Sequence, residues 1–247
     1  MLNEAIYASA FGAQTPMGRP FYSACSDKSL VSFRASNYVL DGAVLAGTGV
    51  NHEDFTAEAV SILSDLGVAS KSPATNESNY LGGESRVAMS TSGYAYVALS
   101  MAGPTDSPVL LSVLKHCYAL SGVSAFASPG LVGVYGSSAA AGAGALTDSL
   151  RAAVGATFSS AIIKKAKAAA KAEAIYTAEG GSKGLADLMS TSVMYTGSFC
   201  IQSLGAAYDG ISEKDVHDAV AGMKSSGISL AAVGEISGVP YLGSISA

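Results

Sequence analysis

Ser212-Glu213-Lys214-Asp215-Val216 opens a helical pattern that runs through Val220 to Lys224 and delivers the chain into Ser229-Leu230-Ala231-Ala232-Val233-Gly234-Glu235. The stretch after that helix reads as a strand over Ser229–Gly234. Ser26-Asp27-Lys28-Ser29-Leu30 opens a second helix with the residue types of an N-cap. That helix continues to about Tyr38 and leads, past Asp41-Gly42, to Ala43-Val44-Leu45-Ala46-Gly47-Thr48-Gly49-Val50, an apolar run bounded by turn residues that reads as a buried strand. Start-to-strand length agrees between the copies to within a residue. Two copies of helix–strand, each late in its unit, indicate a duplicated domain. The second has a full set of elements before it and the first almost none.

Working outward, Leu2–Phe11 has helical spacing and stops at Gly12, and a loop with Pro16, Gly18 and Pro20 follows. Asn51 caps a helix whose apolar stripe is Phe55, Ala59, Ile62, Leu63 and Leu66, ending at Gly67. Residues 68–79 are polar, aperiodic and contain a proline, which makes them a linker. Residues 85–90 and 94–103 alternate as strands about Ser92-Gly93. A helix is expected over 106–120, with Pro108 in its first turn. LVGVYGSS (131–138) is a strand, and helices follow over 140–154, 159–178, 184–195 and 212–224.

Composition narrows the function. Apolar residues make up 49% of the 247 and charged residues only 13%, so the chain is not disordered and has to bury a core. With 28 Gly and no Trp, that core is thin, and an Ala-lined helix gains little unless a partner covers it. A subunit of a larger assembly is expected. The formal charge of −5 argues against nucleic-acid binding, which needs a basic face. Cys25, Cys117 and Cys200 stand far apart, which supports neither a disulfide framework nor a zinc knuckle. The uncharged stretch between Lys115 and Asp148 is broken by Pro129 and several Gly. It reads as a buried hairpin or strand, with no transmembrane segment. The first twenty residues, with Glu4 and a single Arg19, make a poor transit peptide.

Zinc hydrolysis needs two His a helical turn apart plus a carboxylate, whereas His52, His116 and His217 are mutually distant in sequence. His52 reads as a helix N-terminal residue and His217 as solvated. No GxSxG occurs, and no Cys and His adjoin as a nucleophile pair. Gly142–Leu146 (GAGAL) and Glu179–Gly184 (EGGSKG) lack phosphate-loop spacing and read as a strand–helix bend and a helix break. Lys164, Lys165, Lys167 and Lys171 stand on an alanine background, as on a solvated face with Ala packed inward. Tyr94 and Tyr96 share one sheet face, either core or interface. No catalytic residue, cofactor-binding residue or metal ligand is assigned.

Several stretches carry a family resemblance: NYLGGESRV (79–87), YAYVALSMAGP (94–104), LVGVYGSSAAAGAGAL (131–146), AAAKAEAIYTAEGGSKGLADLM (168–189) and ISEKDVHDAVAGMKSSGISLAAVGEISGVPYL (211–242). Together they resemble the core subunits of mitochondrial respiratory complex III, homologues of the mitochondrial processing peptidase and the pitrilysin-type zinc peptidases. The last stretch is most similar to the end of the core II type, and ASNYVLDGAVLAGTGVNHEDFTAEA (35–59) resembles the close of the preceding domain. The resemblance implies an α+β fold of two similar domains, each a mixed or antiparallel sheet with helices on one face. Here residues 1–67 would be the C-terminal, helix–strand–helix remnant of the first domain, 68–79 the linker, and 80–247 the complete second domain. The family's inverted zinc motif, HxxEH, has no counterpart, and the interval CYALSGVSAFASPG (117–130) is too short for the glycine-rich loop of the processing peptidase's non-catalytic subunit. The implied function is that of a non-catalytic structural subunit without cofactors, peripheral on the matrix side of the inner membrane. The implied partners are a core I-like subunit, a separate chain completing the first domain, and other complex III subunits. The alternatives are a truncated, presequence-binding alpha-type subunit of the processing peptidase, or a scaffold in another mitochondrial assembly.

Overall fold

A computed structural model describes residues 1–20, 27–40, 43–64, 78–91 and 93–245. In chain order the elements are α1 (Leu2–Phe11), α2 (Asp27–Asn37), α3 (His52–Leu63), β1 (Gly83–Ala88), β2 (Tyr94–Ala102), α4 (Pro108–Ala119), β3 (Ser124–Ser128), β4 (Leu131–Ala139), α5 (Ala143–Gly155), α6 (Ser160–Glu179), α7 (Ser182–Thr196), α8 (Ile201–Gly210), α9 (Glu213–Ser225), β5 (Ser229–Gly234) and α10 (Leu242–Ile245). The described residues form two compact units. One draws on Met1–Phe21, Ser78–Ala172 and Gln202–Ala247, the other on Tyr22–Glu77 and Glu173–Ile201.

The first unit is built on a mixed sheet of order β1-β5-β2-β4-β3, giving the α+β fold. β5 runs parallel to β1 and antiparallel to β2, and the other pairs are antiparallel. Every residue of β5 is buried, as an apolar strand inside a covered sheet requires. Its delivery follows from α9. The Ser212 hydroxyl accepts from the Asp215 N–H while the Asp215 carboxylate accepts from the Ser212 N–H, a capping box. Val216, Val220 and Met223 are buried along one face of that helix, each stabilising the fold by roughly 1.5–3 kcal/mol. Gly227, at φ 78, turns the chain back into the strand.

Helices α4, α5 and α9 pack on one face of the sheet. Strand alternation presents Val97, Leu99, Met101, Val132 and Val134 there, all buried. From the helices come Leu114, Tyr118, Leu150 and Val154. α6 buries Ile163, Ala166, Ala170 and Ala174, so alanine does pack inward. The helical layer is not alone: α1 lies on the reverse face, where Ala5 and Ile6 meet Ala98, Ala231 and Val233.

Several expectations are revised. Residues 85–90 and 94–103 do not pair across Ser92-Gly93, because β5 inserts between β1 and β2; Ser92 itself lies outside the described residues. Residues 43–50 form no strand. Helix α2 matches its counterpart α9, but Leu45 is 54% exposed: an apolar run becomes a strand only where a neighbouring backbone completes its ladder. Helix α8 has no counterpart in the sequence reading, and β3 falls within the stretch read only as a buried hairpin or strand. The compact units divide the chain at 21/22, 77/78, 172/173 and 201/202. Residues 1–20 join the sheet, with the Leu81 and Gly82 N–H groups donating to the Ala10 carbonyl and Tyr7 Oη 2.5 Å from Ser128 Oγ. Residues 173–201 group with 27–64, as in the bond from Thr48 Oγ1 to the Ser182 carbonyl. The linker expected at 68–79, and Leu66 and Gly67, lie almost wholly outside the described residues.

The uncharged stretch after Lys115 becomes the β3–β4 hairpin, a 3-10 turn over Ala140–Gly142 and the start of α5. Among the described residues no helix is long and apolar enough to cross a membrane.

Candidate functional site

The histidines and Cys117 have structural positions. His52 is the first residue of α3, whose N-terminus is capped by the Asn51 side chain accepting from the Glu53 and Asp54 N–H groups. His116 sits in the last turn of α4, its Nδ1 2.9 Å from the Ser112 carbonyl. His217 is exposed on α9. Among the described residues no group of three or more His, Cys, Asp and Glu is arranged to hold a metal. Cys117 is fully buried, and that burial pushes its thiol up to about 12, far from the range of a nucleophilic thiolate. Tyr118 is raised likewise, chiefly by burial and secondarily by Cys117, and its ring meets Phe158 edge-on at 5.0 Å. GAGAL forms the bend into α5, and EGGSKG the break between α6 and α7.

The lysines divide. Lys164 and Lys165 are exposed, as expected. Lys167 instead donates to the carbonyls of Asp209 (3.1 Å) and Ile211 (2.5 Å), and Lys171 pairs with the Asp209 carboxylate at 2.5 Å. Those two cations sit at the C-terminal end of α8, where unsatisfied carbonyls and the helix dipole favour positive charge. Sequence reasoning missed this because α8 itself was missed. Tyr94 and Tyr96, 50% and 40% exposed, stand on the α1 face of the sheet with Tyr135.

The feature that asks for a partner lies in the second unit. Its helices α3 and α7 contain no buried residue. Leu30, Val31, Phe33, Tyr38, Val60 and Ile62 are all more than half exposed, an apolar surface of the kind that marks an interaction site. Successive residues of a helix are 100° apart, so Ile62, Phe55, Ala59, Leu63 and Val60 lie on one side of α3, with His52 and Thr56 among them. The described part of the stripe expected from sequence is therefore there in register, half-buried at Phe55, Ala59 and Leu63 and exposed at Ile62 and Val60. Facing it, Leu40 and Leu45 close a groove of about 490 Å³ against Phe55, Ala59, Val60 and Leu63, with the polar His52, Thr56 and Ser64 on its lining as well.

No family model matches the chain, and no curated protein matches its sequence. Its fold is matched by solved structures. In one described as complex III2 from Candida albicans with Inz-5 bound, a chain superposes with a TM-score of 0.76 at 17% identity. The match covers 99% of this chain and 69% of that one. At that identity the likeness establishes a shared fold.

Proposed function

We propose that this protein is a non-catalytic structural subunit of mitochondrial ubiquinol–cytochrome c reductase, a core II-type piece supporting the assembly from the matrix side of the inner membrane. The single observation behind this reading is the uncovered apolar face of residues 30–63. A unit of two helices with Leu, Val, Phe and Ile side chains in water is stable only when another surface covers it. The fold likeness to a complex III2 chain over nearly the whole length supports the choice of assembly. In this reading a separate chain completes the second unit, and a core I-like subunit and other complex III subunits are its neighbours. The distant histidines and the raised thiol of Cys117 support a role that is architectural rather than hydrolytic.

Native gels of detergent-solubilised mitochondria test the proposal, combined with alkaline carbonate extraction of intact membranes. The protein is expected to migrate with cytochromes b and c₁ and to be released by carbonate. Migration with a zinc-bearing peptidase subunit and presequence-cleaving activity, away from the cytochromes, would assign it to the processing machinery.

A further inference from the structure

The groove between α3 and the segment 43–47 carries information about its occupant. Its lining is mainly apolar, Leu40, Leu45, Phe55, Ala59, Val60 and Leu63, with His52, Thr56 and Ser64 also on it. Its α3 wall is acidic: Glu53, Asp54 and Glu58 stand exposed on that helix, which carries no Lys or Arg. At 100° per residue, Glu53 falls beside Val60 on one rim of the α3 arc, and Glu58 beside Ile62 on the other. Both carboxylates are exposed. The other wall, residues 43–47, is neither helix nor strand and belongs to no ladder among the described residues.

We infer that this groove is the docking site of a basic polypeptide segment from another subunit, one that inserts apolar side chains between α3 and residues 43–47 while its Lys or Arg residues meet Glu53 and Glu58. The inference rests on the proposed function in that the completing chain is a separate one, and it adds the charge and the address of that chain. Apolar anchors supply the burial and the rim carboxylates select and steer the partner. A second copy of this chain is a poor fit, since its own 35–64 face would set like charges together.

A photo-crosslinking residue placed at Val60, in the tagged full chain expressed in its own mitochondria and recovered as the native complex, tests this. One adduct to a different polypeptide is expected, with more Lys and Arg than Asp and Glu in the linked peptide. Its yield should fall several-fold in the Glu53→Lys, Glu58→Lys double variant and stay unchanged in Glu179→Lys, a control outside the groove. The substituted carboxylates are exposed, so neither variant disturbs a core. A crosslink to the same polypeptide, to a second copy or to a peptide without basic excess would overturn the inference, as would the absence of any adduct or indifference to the double charge reversal. Loss of the cytochromes from the recovered complex would instead count against the complex III assignment, with the groove result still read from the adduct.

Discussion

The guanidinium of Arg86 lies over the ring of Tyr241, 4.4 Å from carbon to centroid, across 155 residues of sequence. The same group donates to the carbonyls of Ile236, Val239 and Pro240 at 2.9–3.2 Å, and to Glu84 Oε1 at 2.8 Å. Glu84 Oε2 in turn accepts from the Leu242 N–H at 3.0 Å. Two charged residues of edge strand β1 thus fasten the chain that leaves β5. Arg suits the position because a planar fork with five donors can serve several carbonyls and still stack on an aromatic face.

Arg86→Ala should therefore lower stability by about 2–4 kcal/mol, since it orphans several half-buried acceptors and the Glu84 carboxylate at once. Arg86→Lys should recover only part of that, because an ammonium cannot fork. Urea denaturation of the purified chain checks both, and limited proteolysis after Ile236 should accelerate in the alanine variant.

Gly133 in β4 has no room for a side chain: a Cβ there would stand 2.5 Å from the Leu99 carbonyl oxygen and 2.6 Å from the Phe126 ring. Because one of those neighbours is sheet backbone, Gly133→Ala should destabilise by about 2–3 kcal/mol or prevent folding. Gly222, inside α9, would meet nothing within 4 Å. Gly222→Ala should raise stability by about 0.5–1 kcal/mol through helix propensity and a less flexible unfolded chain. Thermal melts distinguish the two outcomes.

Alkaline stability should depend on three buried groups. Cys117 is raised from 9.0 to about 12 by burial. Tyr80 and Tyr118 are raised above 10.0, also chiefly by burial. The folded state keeps these protons while the unfolded state releases them, so their contribution is intact below pH ~9 and is lost as pH rises toward the folded values. Stability should fall by up to about 1.4 kcal/mol per pH unit per group, starting near pH 9.0 with Cys117. Cys117→Ala should flatten the stability profile between about pH 9 and 10 and leave the tyrosine part of the curve in place.

Lys167 should matter more than its neighbours on α6. Lys167→Met removes the cation on the Asp209 and Ile211 carbonyls and should cost about 1 kcal/mol. Lys164→Met and Lys165→Met, on the exposed side of the helix, should have little effect. Denaturation midpoints of the three variants check the contrast.

Much of the first unit was legible because local and tertiary signals agree there. In α9 and β5 the cap, the apolar spacing and the buried run all name the same elements. Strand β3 was legible only as part of an unplaced hairpin: Ser124-Ala125-Phe126-Ala127-Ser128 is short and lies among Ser and Gly, and its pairing with β4 makes it a strand. Helix α8 hid behind Gly205 and Gly210; at Gly205 a Cβ would lie 2.9 Å from the Lys171 side chain, a packing reason that sequence does not display. The failure at 43–50 is the informative one. Val44, Leu45 and Ala46 have the composition of a strand, yet composition says nothing of whether a neighbouring backbone is there to pair with. The candidate surface was legible in register, as Phe55, Ala59, Ile62 and Leu63, but its exposure became visible only in three dimensions.

The most direct test of the central claim is the native mass and subunit content of the complex recovered through a tag on this chain. The account predicts a complex containing cytochrome b, cytochrome c₁, a core I-like subunit and a separate basic chain covering residues 30–63. Recovery of a stable monomer, its apolar face needing no partner, would contradict it.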